Sequence, residues 1–465
     1  MKNIFGFGVW MAVFATLFGG CVNRDEVNMS SDTDTKVRTS PLYWSVYEYC
    51  WSLEKQGIPA SEMDISEEQW DKIIDWVATE LKPYGYDMVC TDGFIPMLVR
   101  DDSGYMTHYG SMSLKKLVEK CKARGLKVGV YDNPLWIHGA DSTPVEGADG
   151  ITFGDLKYKE GDTVLRSDVK DTWFSWVVVS HPGAKEYIDN FFKHFSQMGI
   201  DYIRMDFLSW YEDGMDRGMG VVGRGYGRDA YEQALKYISE AASKYGVFTS
   251  LVMPHLNERA ALEGEYGNMV RIVADTGDGG WSHFSSRDRG VAYDSWPNCM
   301  NMFDGFVYWA DIAGRGKVIL DGDFIRLNTF ASDAERESVV SLQLMAGGPV
   351  TVADQYNTIG DNVRFYQNRE LLELNKDGFV GKPLSASLDD KRHQIWYGQL
   401  TCGDWVVGVF NRDDTPQTFS VSLSELGITG ARNVRDMWRH QDEGRTERLD
   451  ITLAPHACKI MRLSK

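Results

Sequence analysis

The chain is short of positive charge. Its 49 lysines and arginines face 67 aspartates and glutamates, a formal charge of −18 at pH 7. Nucleic acid or an anionic membrane surface would be repelled by such a chain. The motifs of several common chemistries are also missing: no HExxH helix, no Ser-His-Asp pattern and no phosphate-binding P-loop occurs. Seven cysteines, at 21, 50, 90, 121, 299, 402 and 458, match no zinc spacing. The last six are read as structural, and neither metal nor cofactor is expected. Past the first twenty residues no apolar run is long enough to span a bilayer. No internal repeat is present.

The first residues are of another kind. Lys2, the apolar run Ile4 to Phe18, and Gly19-Gly20 before Cys21 form the layout of an export signal. The small residues before Cys21 resemble a bacterial lipoprotein cleavage site, although Phe18 departs from the usual aliphatic residue three places before the cysteine. That resemblance implies a signal over 1–21, a lipid on Cys21, a place at the cell envelope facing the periplasm or the outside, and membrane contact through the lipid alone. Residues 22–39 are polar and aperiodic, as a tether would be.

With 465 residues, 43% of them hydrophobic, the chain holds a large domain and a smaller one. From residue 40 strand and helix patterns alternate, the mark of a parallel α/β architecture. Expected strands are Pro41 to Trp51, Tyr86 to Phe94, Lys127 to Pro134, Tyr202 to Asp206, Val247 to Pro254, Asn268 to Thr276, Lys317 to Asp323 and Gly348 to Asp354. Eight such strands between 40 and 378 fit a (β/α)8 barrel with enlarged loops. Expected helices include Ile65 to Leu81, Leu114 to Arg124, Ala184 to Gln197, Asp229 to Lys244, Ala334 to Met345 and Asn362 to Asn375, with one near Pro297 to Phe303. Two excursions, 135–180 and 214–227, interrupt the rhythm. The second contains Gly218-Met219-Gly220-Val221-Val222-Gly223, a literal GxGxxG, but it lies well past a strand end and reads as a rim loop. From 379 to 465 short alternating runs separated by turns predict a small antiparallel β-sandwich.

Two strands end on an acid. Ile200-Asp201-Tyr202-Ile203-Arg204-Met205-Asp206 and Arg271-Ile272-Val273-Ala274-Asp275 bring carboxylates to the face where barrel strands emerge, which is the active face of such folds. Cleaving a glycosidic bond needs two carboxyl groups flanking it, one at the anomeric carbon and one at the leaving oxygen. Fifteen tryptophans and twenty-two tyrosines suit a neutral, stackable ligand such as a sugar.

The first of these segments resembles the nucleophile strand of clan D glycoside hydrolases, and the match runs back to His181-Pro182-Gly183. Arg271 to Asp278 with Trp281 resembles the acid/base segment of family 27, where an arginine precedes the catalytic aspartate by four. Lys127 to Tyr131, Asp321-Gly322-Asp323 and Gly348-Pro349-Val350 resemble further strand ends of that family. The resemblance implies a retaining, exo-acting hydrolase with Asp206 as nucleophile and Asp275 as acid/base. It further implies sugar contacts from Thr91, Asp92, Tyr131, Asp132, Arg204, Arg271 and Met253, with Trp44 as a wall of the sugar pocket.

Departures bear on the sugar. The family's Asp-Asp pair at the second strand end is Thr91-Asp92 here, the lysine two before the nucleophile is Arg204, and Leu251 to Pro254 stands where α-galactosidases carry Cys-Glu. An α-galactosidase-like activity is the first expectation, since it is the commonest in the group. A β-L-arabinopyranosidase or an enzyme of isomaltose-type glucans is the alternative, and a glycan-binding lipoprotein without catalysis is the rival from another class.

Overall fold

The computed structural model describes residues 39–161, 163–164, 174–216, 219–286 and 301–465. The expected signal, Cys21, the tether to residue 38, Gly218 of the GxGxxG stretch and Cys299 lie outside them.

Eight parallel strands lie side by side: β1 Leu42–Ser45, β2 Met88–Cys90, β3 Lys127–Tyr131, β4 Tyr202–Met205, β5 Phe248–Leu251, β6 Met269–Arg271, β7 Ile319–Asp321 and β8 Val350–Val352. Their order in the sheet is β7-β6-β5-β4-β3-β2-β1-β8. The ring closes where the chain just beyond β7 meets β8: Ile325 N donates to Thr351 O at 2.9 Å, and Ala353 N donates to Ile325 O at 3.0 Å. Each strand is covered on both faces, which explains the apolar runs. Tyr43, Met88, Cys90, Tyr202, Met269 and Ile319 form a separate cluster that fills the lower barrel. Above this cluster lie the strands' C-terminal ends, the face where barrels of this kind carry their sites.

Observed elements are shorter than the expected ones, and one ends early for a physical reason. The run Pro41 to Trp51 holds a strand only to Ser45, and Tyr47–Lys55 is a helix. Tyr47, Tyr49 and Trp51 alternate as in a strand, yet Tyr47, Trp51 and Lys55 also recur at the helical spacing of four, and the turn at Val46 selects the helix. Asn257–Tyr266, a helix between β5 and β6, carries few apolar residues and had no periodic signal. A three-stranded sheet, Leu98–Arg100, Met106–Tyr109 and Met112–Ser113, was likewise unforeseen. In the long excursion Trp136–Ile137 pairs with Ser175–Trp176, and in the shorter one Met215–Asp216 pairs with Gly220–Val221.

The C-terminal strands are β9 Lys382–Pro383, β10 Ile395–Gln399, β11 Trp405–Phe410, β12 Gln417–Ser422, β13 Arg432–Asp436, β14 Gln441–Thr446, β15 Arg448–Leu453 and β16 Cys458–Ser464. One sheet has the order β9-β10-β11-β16-β13-β14, and β12 pairs with β15 in the other. Strand alternation divides β11: Val407 and Val409 face the sandwich core, while Val406 and Phe410 join the core of the barrel. Between them Gly408 lets Met345 approach, because an added Cβ would sit 3.2 Å from its Cε.

Candidate active site

Asp206 follows β4 directly, and the chain turns sharply there. Phe207 has φ +62°, a left-handed conformation costly for an aromatic residue. Its N–H folds back to donate to Asp206 Oδ1 at 2.7 Å, while Tyr131 from the end of β3 donates its hydroxyl to Oδ2 at 2.9 Å. Asn133 Nδ2 holds the Asp206 carbonyl at 2.7 Å. Met253 and Asp323, beyond β5 and β7, are also left-handed, at +56° and +69°. Strain of this kind, of order 1–3 kcal/mol per residue, gathers where side chains must be aimed.

The second acid lies on the same mouth. Arg271, the last residue of β6, donates to Asp275 four residues on and pairs with Asp323 at 3.1 Å. Asp323 accepts the N–H and hydroxyl of Thr276, each at 2.7 Å, and so anchors the residue next to Asp275. Arg204 pairs with Asp321 and Asp323, both at 3.2 Å, and lies over the Phe324 ring. Asp206 feels the charges of Arg204, Asp275 and Arg271, and the Tyr47 hydroxyl those of Asp323, Asp275 and Asp92, so the two acids lie within electrostatic reach of each other. Asp275 is exposed, with 71% of its side chain open to solvent, whereas Asp206 is half-buried.

Electrostatics separate the carboxylates. Burial pushes Asp206 above the ordinary range, opposed by Arg204 and Arg271. Burial pushes Asp92 up to about 6, with Arg204 opposing. Asp321 is raised by burial too. For Asp323 burial acts upward, but Arg271 and then Arg204 outweigh it and hold its carboxyl below the usual range. A carboxylate held between two guanidiniums stays ionised.

At the end of β2, Thr91 is buried and its Oγ1 accepts the Tyr131 N–H at 3.1 Å. Asp92 accepts from Ser45 Oγ at 3.2 Å and from the Gly93 N–H at 2.6 Å. Asp132, expected at the sugar, is buried in a bidentate pair with Arg100, at 2.8 and 2.9 Å. Trp44, expected as the pocket wall, is 1% exposed; its indole N–H donates to Asp354 O and its ring meets Trp70 edge-on. The aromatic at the mouth is instead Tyr47, three residues on. Met253 is buried, and its carbonyl accepts the Ser209 N–H. Arg100, Asn133, Tyr47 and the double role of Asp323 went unread in the sequence. Arg100 arrives on the three-stranded sheet, which no clear sequence pattern marks, and Tyr47 lies in a run whose alternation predicts a strand. Among the described residues no cluster of three or more His, Cys, Asp or Glu side chains could hold a metal ion.

Residues 390–463 match the model of the alpha galactosidase C-terminal beta sandwich domain. Over 449 residues the chain is 39% identical to the isomalto-dextranase of Arthrobacter globiformis, spanning 92% of this chain and 68% of the relative. The structure of that organism's isomalto-dextranase complexed with panose superposes with a TM-score of 0.83 at 38% identity, over 92% of this chain and 72% of the other. An alpha-galactosidase of Oryza sativa is 26% identical over 61% of each chain. The fold is shared with a β-L-arabinopyranosidase from Geobacillus stearothermophilus, at a TM-score of 0.69 and 20% identity over 92% and 96% of the two chains. A barrel with two acids on one mouth, a matched sandwich and a relative this similar leave one conclusion: the chain belongs to glycoside hydrolase family 27, an enzyme that cleaves carbohydrate.

Proposed function

We propose that the protein is a retaining hydrolase of an α-glucan of the dextran type, with Asp206 as nucleophile and Asp275 as acid, then base. The observation that carries the choice of sugar is the end of β2. Where the family's α-galactosidases grip the axial and primary hydroxyls with two aspartates, this chain has one, and beside it stands the uncharged hydroxyl of Thr91, which accepts the Tyr131 N–H. A gluco-configured ring carries O4 equatorial instead of axial, so no carboxylate is needed where the family's second aspartate meets an axial hydroxyl. The 39% identity to an isomalto-dextranase supports the same sugar.

In the first step Asp206 attacks the anomeric carbon while Asp275 delivers its proton to the leaving oxygen. Arg204 and Arg271 favour the ionised nucleophile against its burial, and the hydrogen bonds from Phe207 and Tyr131 fix its direction. In the second step Asp275 takes a proton from water as the water attacks the glycosyl ester, so the product keeps the α configuration. The exposure of Asp275 supports its role, because the water that it activates in the second step must reach it.

The test offers dextran, melibiose and nitrophenyl glycosides of glucose, galactose and arabinose to the protein and to Asp206→Asn. Dextran hydrolysis that disappears in the variant is expected. Turnover of the galactoside alone would overturn the sugar, and binding without turnover in either protein would favour the non-catalytic glycan binder.

A further inference from the structure

The helix after β1 carries an aromatic row that the two-step reaction leaves unused. Tyr47 opens that helix within the field of both the candidate acid and Asp92. Its ring packs on Phe324 with centroids 4.6 Å apart and on Phe94 at 6.2 Å. One turn outward Trp51 runs nearly parallel to Tyr47, with centroids 6.0 Å apart and an interplanar angle of 11°. A further turn on, Lys55 reaches over the Trp51 ring at 4.7 Å and pairs with Asp278 at 3.1 Å. Asp278 stands three residues beyond Asp275. Residues spaced by four share one helix face, so the row runs from the reacting centre to the outer wall beside the acid's own loop.

The row is only half-buried. Burying an indole is worth a few kcal/mol, and Trp51 stacked on Tyr47, both half-buried, leaves part of one continuous aromatic surface uncovered. Pyranose rings present a face of C–H bonds that packs on an aromatic plane, and binding sites join such apolar surface to a few fixed polar groups. Lys55 and Asp278 supply those groups here, and their pairing holds the indole in place.

We propose that Trp51, continuing the surface begun by Tyr47, is the platform for a second pyranose of the substrate, next to the one held between Asp206 and Asp275. This rests on the glucan reading above. The second ring lies on either the non-reducing or the leaving side, and the two are separable by substrate length.

The test compares the unaltered protein with Trp51→Leu, which keeps apolar bulk without a ring plane, and Trp51→Phe, which restores a plane. With Trp51→Leu the KM for dextran should rise about tenfold and kcat should stay within about twofold. Inhibition of dextran hydrolysis by isomaltotriose should weaken about tenfold and inhibition by glucose by less than about twofold, and Trp51→Phe should recover most of both losses. A loss that persists on nitrophenyl α-isomaltoside puts the second ring on the non-reducing side; a loss confined to dextran puts it on the leaving side. An unchanged dextran KM, or equal weakening of glucose and isomaltotriose, overturns the platform. If the unaltered protein leaves dextran intact, the glucan reading falls instead.

Discussion

Replacing Asp323 by asparagine keeps the shape at the centre of the site and removes its charge. Asp323 is 1% exposed, pairs with Arg204 and Arg271, and takes both hydrogens of Thr276. An asparagine oxygen could still accept, but its NH2 would face donors, and two buried guanidiniums would lose half of their compensation. Neutralising one partner of such a buried group costs about 3–5 kcal/mol, against a total stability of about 5–15 kcal/mol. In a chain of this size that lowers the melting temperature by about 5 °C or more. Because Asp323 is held below its unfolded pKa of about 3.9, its stabilisation is present above that pH and is lost as the pH falls through the folded value. The melting gap between the two proteins, read by calorimetry, should therefore be full at pH 7 and close below about pH 4. Displacing Thr276 should also misplace Asp275 and lower kcat by about a hundredfold. An Asp323→Asn protein that melts with the parent at pH 7, or a gap that widens in acid, would refute this account of the network.

Other outcomes follow from single groups. Asp92, pushed up to about 6 by burial, accepts sugar hydroxyls best when ionised, so kcat/KM should fall as the pH drops through about 6. Asp92→Asn should lose about tenfold at neutral pH and flatten that fall; an identical acid limb in the variant counts against the assignment. Asp275→Ala should lower kcat/KM on dextran by about 10²–10⁴-fold while sparing kcat/KM on nitrophenyl substrates, whose leaving group needs no proton, although their kcat falls with loss of the base; equal losses of kcat/KM on both would remove Asp275 from the acid role. Cys21→Ser should move the protein from the membrane fraction to the soluble one on cell fractionation, and a variant still sedimenting with membranes would contradict lipidation.

Much of the barrel was legible because parallel strands covered on both faces must be apolar, so a short apolar run ending on Asp206 advertises a strand end, whereas the run to Asp275 overshoots a strand that stops at Arg271. The sandwich was half legible: β11 alternates between two cores, whereas β14, Gln441–Thr446, has no apolar residue and lies exposed at a sheet edge. The site was legible where one residue does one thing. Tyr131, expected at the sugar, ends its strand and donates to Asp206. Asp132, adjacent, is claimed by Arg100 from a sheet with no clear sequence pattern. Trp44 and Tyr47 differ by three residues, and only the turn at Val46 decides which enters the core and which the mouth. Long-range pairing of that kind leaves no local trace in composition or period.

The two-step mechanism predicts a sugar covalently bound to one known side chain. Incubation with a fluorinated α-glucosyl fluoride that forms the ester quickly and hydrolyses it slowly, followed by proteolysis and mass spectrometry, should find the sugar on the peptide carrying Asp206, with Asp206→Asn unlabelled. A label on any other residue, or a first-formed product of inverted anomeric configuration without a label, would contradict it.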